Sequence, residues 1–236
     1  MIYDCFTFFN ELDLLEIRLN ELSGVVDKFV LVEATKTHQG KEKPLHFKEN
    51  SERFGNFKDK IIHVIVDEYP AFDENSSAWI LEHHQRNMIM KGLEGCRPDD
   101  VIMISDIDEI PNPQRIAEYK DVSGMKIFRQ KMYYYFLNCE NARDSAGYDN
   151  HTWNGTIVIH YKDIVKPQDL REMSMRLLSL YHHEFFHRIY WTVRFLLSNL
   201  NAKHKVVFVN RAGWHFSYLG GIDRIIKKLE AFAHTE

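Results

Sequence analysis

Ile102-Met103-Ile104-Ser105-Asp106-Ile107-Asp108-Glu109-Ile110-Pro111 is the stretch on which the reading of this chain turns. An apolar run rises from a core and breaks into carboxylates. A short continuous apolar run bounded by turn signals is the pattern of a strand buried on both faces, and such strands belong to parallel sheets with helices on either side. Open parallel sheets bind ligands beyond the carboxyl ends of their strands, and Asp106 and Asp108 stand at such an end. Two carboxylates one residue apart can share a hard divalent cation. A cation bridging a diphosphate stabilises it as a leaving group. The plainer reading is a solvated acidic loop that caps the next helix.

Upstream of this stretch, strand-like and helix-like segments alternate. Ile2–Phe8 reads as a strand. Asn10 reads as an N-cap with Asp13 at N3, and Leu12, Leu15, Leu19 and Leu22 give the following helix one apolar face. Gly24 is expected in the C′ role. Residues 29–32 form a second strand closing at Glu33; residues 35–48, polar with four lysines, read as a mobile loop. Ile61–Val66 is a third strand, residues 78–93 a helix carrying Gln85 and Arg86, and residues 101–104 a fourth strand. Asn112-Pro113 opens another helix, with Asn as cap and Pro at N1.

The second half is mixed. Residues 126–137 and 156–161 read as strands around a polar stretch at 138–154. Residues 167–181 and 183–200 read as helices and Val206–Val209 as a strand. Gly213-Trp214-His215-Phe216-Ser217 follows, and Ile222, Ile225, Leu229 and Phe232 mark a last helix. The order predicts an α/β fold with a Rossmann-type, mainly parallel sheet, helices on both faces and a mixed C-terminal half.

At 236 residues and 44% hydrophobic content the chain can bury one full core, so residues 1–236 are read as one domain. A net charge of -4 argues against a nucleic-acid partner. Cys5, Cys96 and Cys139 are far apart and odd in number, which indicates neither a zinc knuckle nor a disulfide framework. The N-terminus does not read as a signal peptide, and no apolar run is long enough to span a bilayer. A cytoplasmic location is the expectation, under which the sequons at Asn75 and Asn154 carry no meaning.

Several segments, in order, resemble glycosyltransferase family 17. They are Tyr3-Asp-Cys-Phe, Asn10-Glu-Leu-Asp-Leu-Leu-Glu-Ile-Arg, Val32-Glu33-Ala34, Gln85-Arg86, Asp106-Ile-Asp-Glu-Ile-Pro, Gly213-Trp-His-Phe-Ser-Tyr and Ala233-His234-Thr235-Glu236. The resemblance runs from Tyr3 to Glu236. It implies a GT-A fold and an inverting transfer of a sugar, N-acetylglucosamine, from a UDP-sugar to a glycan or glycoconjugate acceptor. It also implies Mn²⁺, or Mg²⁺, as cofactor. Residues 1–111 would then bind the nucleotide-sugar and residues 112–236 the acceptor. Animal members are Golgi membrane proteins.

Under this resemblance Asp106, Asp108 and His215 are the expected metal ligands, with His234 as the alternative imidazole; imidazole suits Mn²⁺ better than Mg²⁺. A core histidine is the competing reading of His215. Arg86 could grip the diphosphate or the uracil, or merely pair with Glu82. Glu33, Asn10 and Glu11, at strand ends, could meet ribose or uracil, as Asp106 could meet the donor; Glu33 otherwise is a loop acid. Glu109 is the first choice of catalytic base, with Glu140, Asp169 and Glu236 open. Trp153 and Trp214 are the expected sugar contacts, while Tyr133-Tyr134-Tyr135-Phe136 reads either as an acceptor platform or as a core strand. Two rivals remain. His183-Glu184-Phe185-Phe186-His187 matches the zinc-hydrolase HExxH pattern but lacks a third ligand at the usual spacing. A non-catalytic sugar- or nucleotide-binding domain, with the acids as helix caps, is the other.

Overall fold

The computed structural model describes residues 1–73, 76–141, 152–182 and 205–231. Nine strands form one sheet: β1 (Ile2–Phe8), β2 (Lys28–Ala34), β3 (Ile61–Val66), β4 (Val101–Asp106), β5 (Glu109–Pro111), β6 (Met125–Tyr134), β7 (Thr152–His160), β8 (Val206–Val209) and β9 (Gly213–Ser217). Their order is β3-β2-β1-β4-β7-β6-β9-β5, with β8 also on β6. The first four are mutually parallel. β7 then runs antiparallel to both β4 and β6, and β9 pairs parallel to β6 and antiparallel to β5. The α/β class, the parallel first half and the mixed second half agree with the sequence reading.

Side chains alternate across the sheet because strand residues point to opposite faces in turn. On one face Phe6, Phe8, Phe29, Leu31 and Met103 pack against Leu14, Leu15, Leu19 and Leu22 of α1 (Leu12–Leu22). On the other, Cys5, Val30, Val32, Ile102 and Ile104 meet Ile89, Leu93 and Leu170. The last three come from the 3₁₀ turn Met88–Leu93, which continues α3 (Trp79–Asn87), and from α5 (Pro167–His182), the helix after the Asn112-capped α4 (Pro113–Tyr119).

Several local expectations differ from the structure. The cap of α1 is Glu11, not Asn10; its side chain accepts from the amides of Phe9 and Asn10 instead of capping the helix. Gly24 does not take the left-handed conformation, because the chain leaves α1 through right-handed Ser23 and the amides of Val25 and Val26 bond back to Leu22. β2 extends to Ala34, which puts Glu33 inside a strand. Residues 35–48 are held: the Lys43 amide bonds Thr35, His38 bonds Ala231, and α2 (His46–Glu49) begins there. β6 stops at Tyr134 and β7 starts at Thr152, four residues before the sequence reading. Asn154 of the second sequon is buried and donates to the Ser174 carbonyl, a position no glycan could share. Asn75 lies outside the described residues.

The loop after β4 is fixed from beneath. Arg18 of α1 is fully buried, as is its partner Asp4 on β1. Its Nε and Nη2 donate to the two Asp4 oxygens at 2.8 and 2.7 Å, and Nη2 also to Ser105 Oγ at 2.6 Å. Nη1 donates to the carbonyls of Asp106, Ile107 and Glu109 at 2.9, 3.1 and 3.0 Å. One guanidinium thereby satisfies a buried carboxylate and three carbonyls that a tight turn leaves unpaired. Arg18→Met would strand Asp4 in the core. We expect a loss of about 3–5 kcal/mol in urea unfolding; a loss under about 1 kcal/mol would show the pair to be dispensable.

Candidate functional site

A cleft of about 750 Å³ opens beyond the carboxyl ends of β1 and β4. β1 supplies Thr7 and Phe8, the loop after β4 supplies Asp106, Asp108 and Glu109, and β7 and β9 supply Trp153 and His215. Helices close the sides: α3 brings Glu82, Gln85 and Arg86, α5 brings Gln168, Arg171 and Glu172, and α6 (Ile222–Ala231) brings Lys228.

The two aspartates of the Asp-x-Asp pair meet different partners. Asp106 accepts from Arg86 Nη2 on Oδ1 and from Arg171 Nη2 on Oδ2, each at 3.0 Å. Burial alone would raise its pKa, but the two guanidiniums outweigh burial and hold it well below the usual carboxylate range. Asp108 accepts from Lys228 Nζ at 2.9 Å on Oδ2, while His215 Nε2 lies 3.7 Å from Oδ1. Burial is again overcome, here by the ammonium and the imidazole, and the Asp108 carboxyl also sits well below its ordinary value. Glu109 is buried and anchored: it accepts from Arg171, from Trp153 Nε1 at 2.5 Å and from the Asp106 amide at 3.1 Å. It serves as the counter-charge of Arg171, with both carboxylate oxygens occupied.

The remaining expected residues divide. Glu11, Arg86 and Trp153 line the cleft; Asn10, Glu33 and Trp214 do not. Glu33 is buried inside β2, accepting from the Phe47 amide at 2.9 Å and facing His63 Nε2 at 3.0 Å, so it pins α2 to the sheet. Trp214 packs into the α1-side core, because strand alternation turns it away where it turns His215 toward the cleft. Arg86 joins both alternatives, reaching Glu82 at 2.9 Å as well as Asp106. Glu140 pairs with Lys131 outside the cleft, and exposed Asp169 is absent from its lining. His183, Glu184 and His187, and likewise His234 and Glu236, lie outside the described residues.

Sequence reasoning missed Arg171, Gln168, Glu172 and Lys228. The first three share a helix face with Met175, which also lines the cleft, and their i, i+3, i+4, i+7 spacing was a readable stripe. Lys228 has no comparable local mark.

A divalent cation fits part of the expected ligand set. Among the described residues no three carboxylate, imidazole or thiol groups converge on a metal position. Asp106 has both oxygens committed to arginines and is unsuited to share an ion. Among the described residues, Asp108 Oδ1 has no hydrogen bond, with His215 Nε2 3.7 Å away, and His215 buries an Nδ1 with no partner. One or two protein ligands, completed by phosphate oxygens and water, is the usual arrangement for an ion that arrives with a nucleotide. Asp108 and His215 suit that arrangement.

A family model described as "Glycosyltransferase family 17" matches residues 1–186. The β-1,4-mannosyl-glycoprotein 4-β-N-acetylglucosaminyltransferases of Homo sapiens and Rattus norvegicus are each 36% identical to this chain over 108 residues. Those matches cover 43% of this chain and 20% of each relative, so the matched region is about a fifth of the relatives' length. Among solved structures, the inositol-1-phosphate CTP transferase from T. maritima is similar at a TM-score of 0.43 and 11% identity. That alignment covers 91% of this chain and 87% of that one. The Francisella tularensis 2-C-methyl-D-erythritol 4-phosphate cytidylyltransferase gives 0.41 and 14%, covering 88% and 89%.

Burial lowers the His215 pKa, but Asp108, followed by Glu109, more than reverses this, so His215 titrates above its ordinary 6.5. A group whose folded pKa is raised contributes stability that is fully present below the unfolded value and lost as pH rises through the folded one. In chelator, His215→Gln should lower the melting temperature more at about pH 6 than at about pH 9. A deficit that does not shrink with pH would show that the imidazole carries no charge against Asp108.

Proposed function

This chain belongs to glycosyltransferase family 17, and we propose that it is a glycosyltransferase that moves N-acetylglucosamine from UDP-N-acetylglucosamine onto a hydroxyl of a glycan, inverting the anomeric carbon. The observation that carries the nucleotide part of this reading is the charge of the cleft. Among the described residues, its lining holds the carboxylates of Glu11, Glu82, Asp106, Asp108, Glu109 and Glu172 against the cations of Arg86, Arg171 and Lys228. An anionic diphosphate is repelled by such a lining unless a cation accompanies it. In this reading Asp108 and His215 would receive that cation. When bound, a divalent ion supplies charge neutralisation to the departing diphosphate.

The sugar and acceptor class rest on the relatives. Their printed name describes a β-1,4-linked N-acetylglucosaminyl product on a mannosyl glycoprotein. A β-linked product from an α-linked UDP-sugar requires one displacement with inversion. The acceptor oxygen forms its bond to the anomeric carbon as the carbon–oxygen bond to the diphosphate breaks. The bonding pair leaves with UDP, and the hydroxyl proton passes to a cleft carboxylate and then to water. This chain's own residues support that geometry: Arg18 fixes the loop beneath, Arg86 and Arg171 clamp Asp106, and Trp153, hydrogen-bonded to Glu109, would offer its ring to the acceptor.

Ligands that bind only the folded state raise its melting temperature as their concentration passes Kd. UDP with Mn²⁺ should therefore stabilise the protein by several degrees, and UDP with chelator much less. Asp108→Asn should remove the Mn²⁺-dependent shift and cut transfer by about 100-fold or more, the scale of losing an electrostatic stabiliser of a leaving group. If no UDP compound shifts the melting curve with either metal ion, the donor assignment fails.

A further inference from the structure

Only three non-glycine residues among those described adopt positive φ, and two of them are tyrosines in contact: Tyr135 at 65° and Tyr218 at 57°. A bulky side chain seldom occupies the left-handed region, and such strain persists where the surroundings enforce it and gathers at binding sites. Here the enforcing contact is between the ends of paired strands. Tyr135 immediately follows β6 and donates its amide to the Ser217 carbonyl at 3.0 Å; Tyr218 immediately follows β9. The two rings stack at 6.2 Å and 21°, and the Tyr134 ring stands 6.0 Å from that of Tyr135.

These rings do not build the core. Tyr133 packs against the α1-side cluster, whereas Tyr134, Tyr135 and Tyr218 belong to neither cluster. Tyr135 is 52% exposed, and no hydroxyl of the three hydrogen-bonds to a described residue. Tyr134 and Tyr218 line the mouth of the cleft itself, next to Lys228, whose ammonium lies 5.8 Å from the Tyr218 ring centre. Flat rings carrying free hydroxyls, continuous with a transfer cleft, match a pyranose: ring faces cover its C–H face and phenols reach its hydroxyls.

We propose that Tyr134, Tyr135 and Tyr218 form a carbohydrate subsite that holds a pyranose of the acceptor beyond the residue receiving the transferred sugar. The subsite deepens the proposed function and rests on it. The strain then has a use: left-handed backbone at both strand ends turns two adjacent rings outward instead of continuing the sheet.

The test uses the full chain, saturated with UDP and Mn²⁺, on an array of immobilised oligosaccharides ending in mannose, N-acetylglucosamine or galactose, with peptides as controls. The Kd of the best-bound glycan is then measured for the parent, Tyr135→Gly and Tyr135→Asn. Both replacements tolerate the left-handed conformation, so melting temperatures within a few degrees of the parent are expected. Each variant should weaken glycan binding about 5–10-fold, the scale of one lost ring contact, with UDP affinity held. Unchanged glycan affinity, or unfolding of both variants, would overturn the subsite. So would a blank array while UDP still binds, or binding to peptide controls alone, which would mark a protein-docking patch. Failure to bind UDP as well would instead bring down the donor reading beneath it.

Discussion

The site depends on a buried ion pair. Arg18 and Asp4 are both out of water, a placement that is costly unless every donor and lone pair is matched. It is matched here because the guanidinium has more donors than Asp4 can use. Its surplus goes to Ser105 and to three carbonyls of the turn carrying Asp106, Asp108 and Glu109. A hydrophobic replacement could keep α1 on the sheet, but it could not hold that turn. The pair thus converts packing of a helix on a strand into placement of three carboxylates.

Above the turn, neighbouring acids do unlike work because alternation and the turn direct them to different elements. Asp106 and Glu109 are consumed by Arg171 and Arg86, which tie α5 and α3 to the end of β4. Asp108 faces β9 and α6, where its companions are an ammonium and an imidazole. An Asp-x-Asp pair invites the idea of two equal metal ligands. In this fold the first aspartate closes the walls of the cleft through two arginines, and the second turns to an ammonium and an imidazole instead.

What was legible in the sequence follows from the range of the interactions involved. β2 and β4 were readable because both faces are buried and each carries an unbroken apolar run, Phe29 to Val32 and Val101 to Ile104. Glu33 was not, since its partners Phe47 and His63 come from α2 and β3 and no local pattern announces them. Trp214 and His215 were both assigned to the site, although strand alternation allows only one of two neighbours to face it. Arg171 is 65 residues from Asp106 and Lys228 is 120 from Asp108. Charge pairs at such separations are set by topology, and a single sequence does not display them. Arg18 was within a recognised motif, yet its role appears only once Asp4 and the β4 turn are seen on the same face.

The same topology explains where an acceptor can approach. Parallel β3-β2-β1-β4 carries a helix layer on each face, which leaves the carboxyl edge as the open approach to the turn after β4. β7 reverses direction next to β4, and through β6 and β9 the sheet extends past that edge. The mixed half therefore brings Trp153, His215, Tyr134 at the end of β6 and Tyr218 after β9 into the lining of the cleft. The change from parallel to antiparallel pairing thus lays aromatic side chains against the charged groups of the β4 end in one continuous sheet.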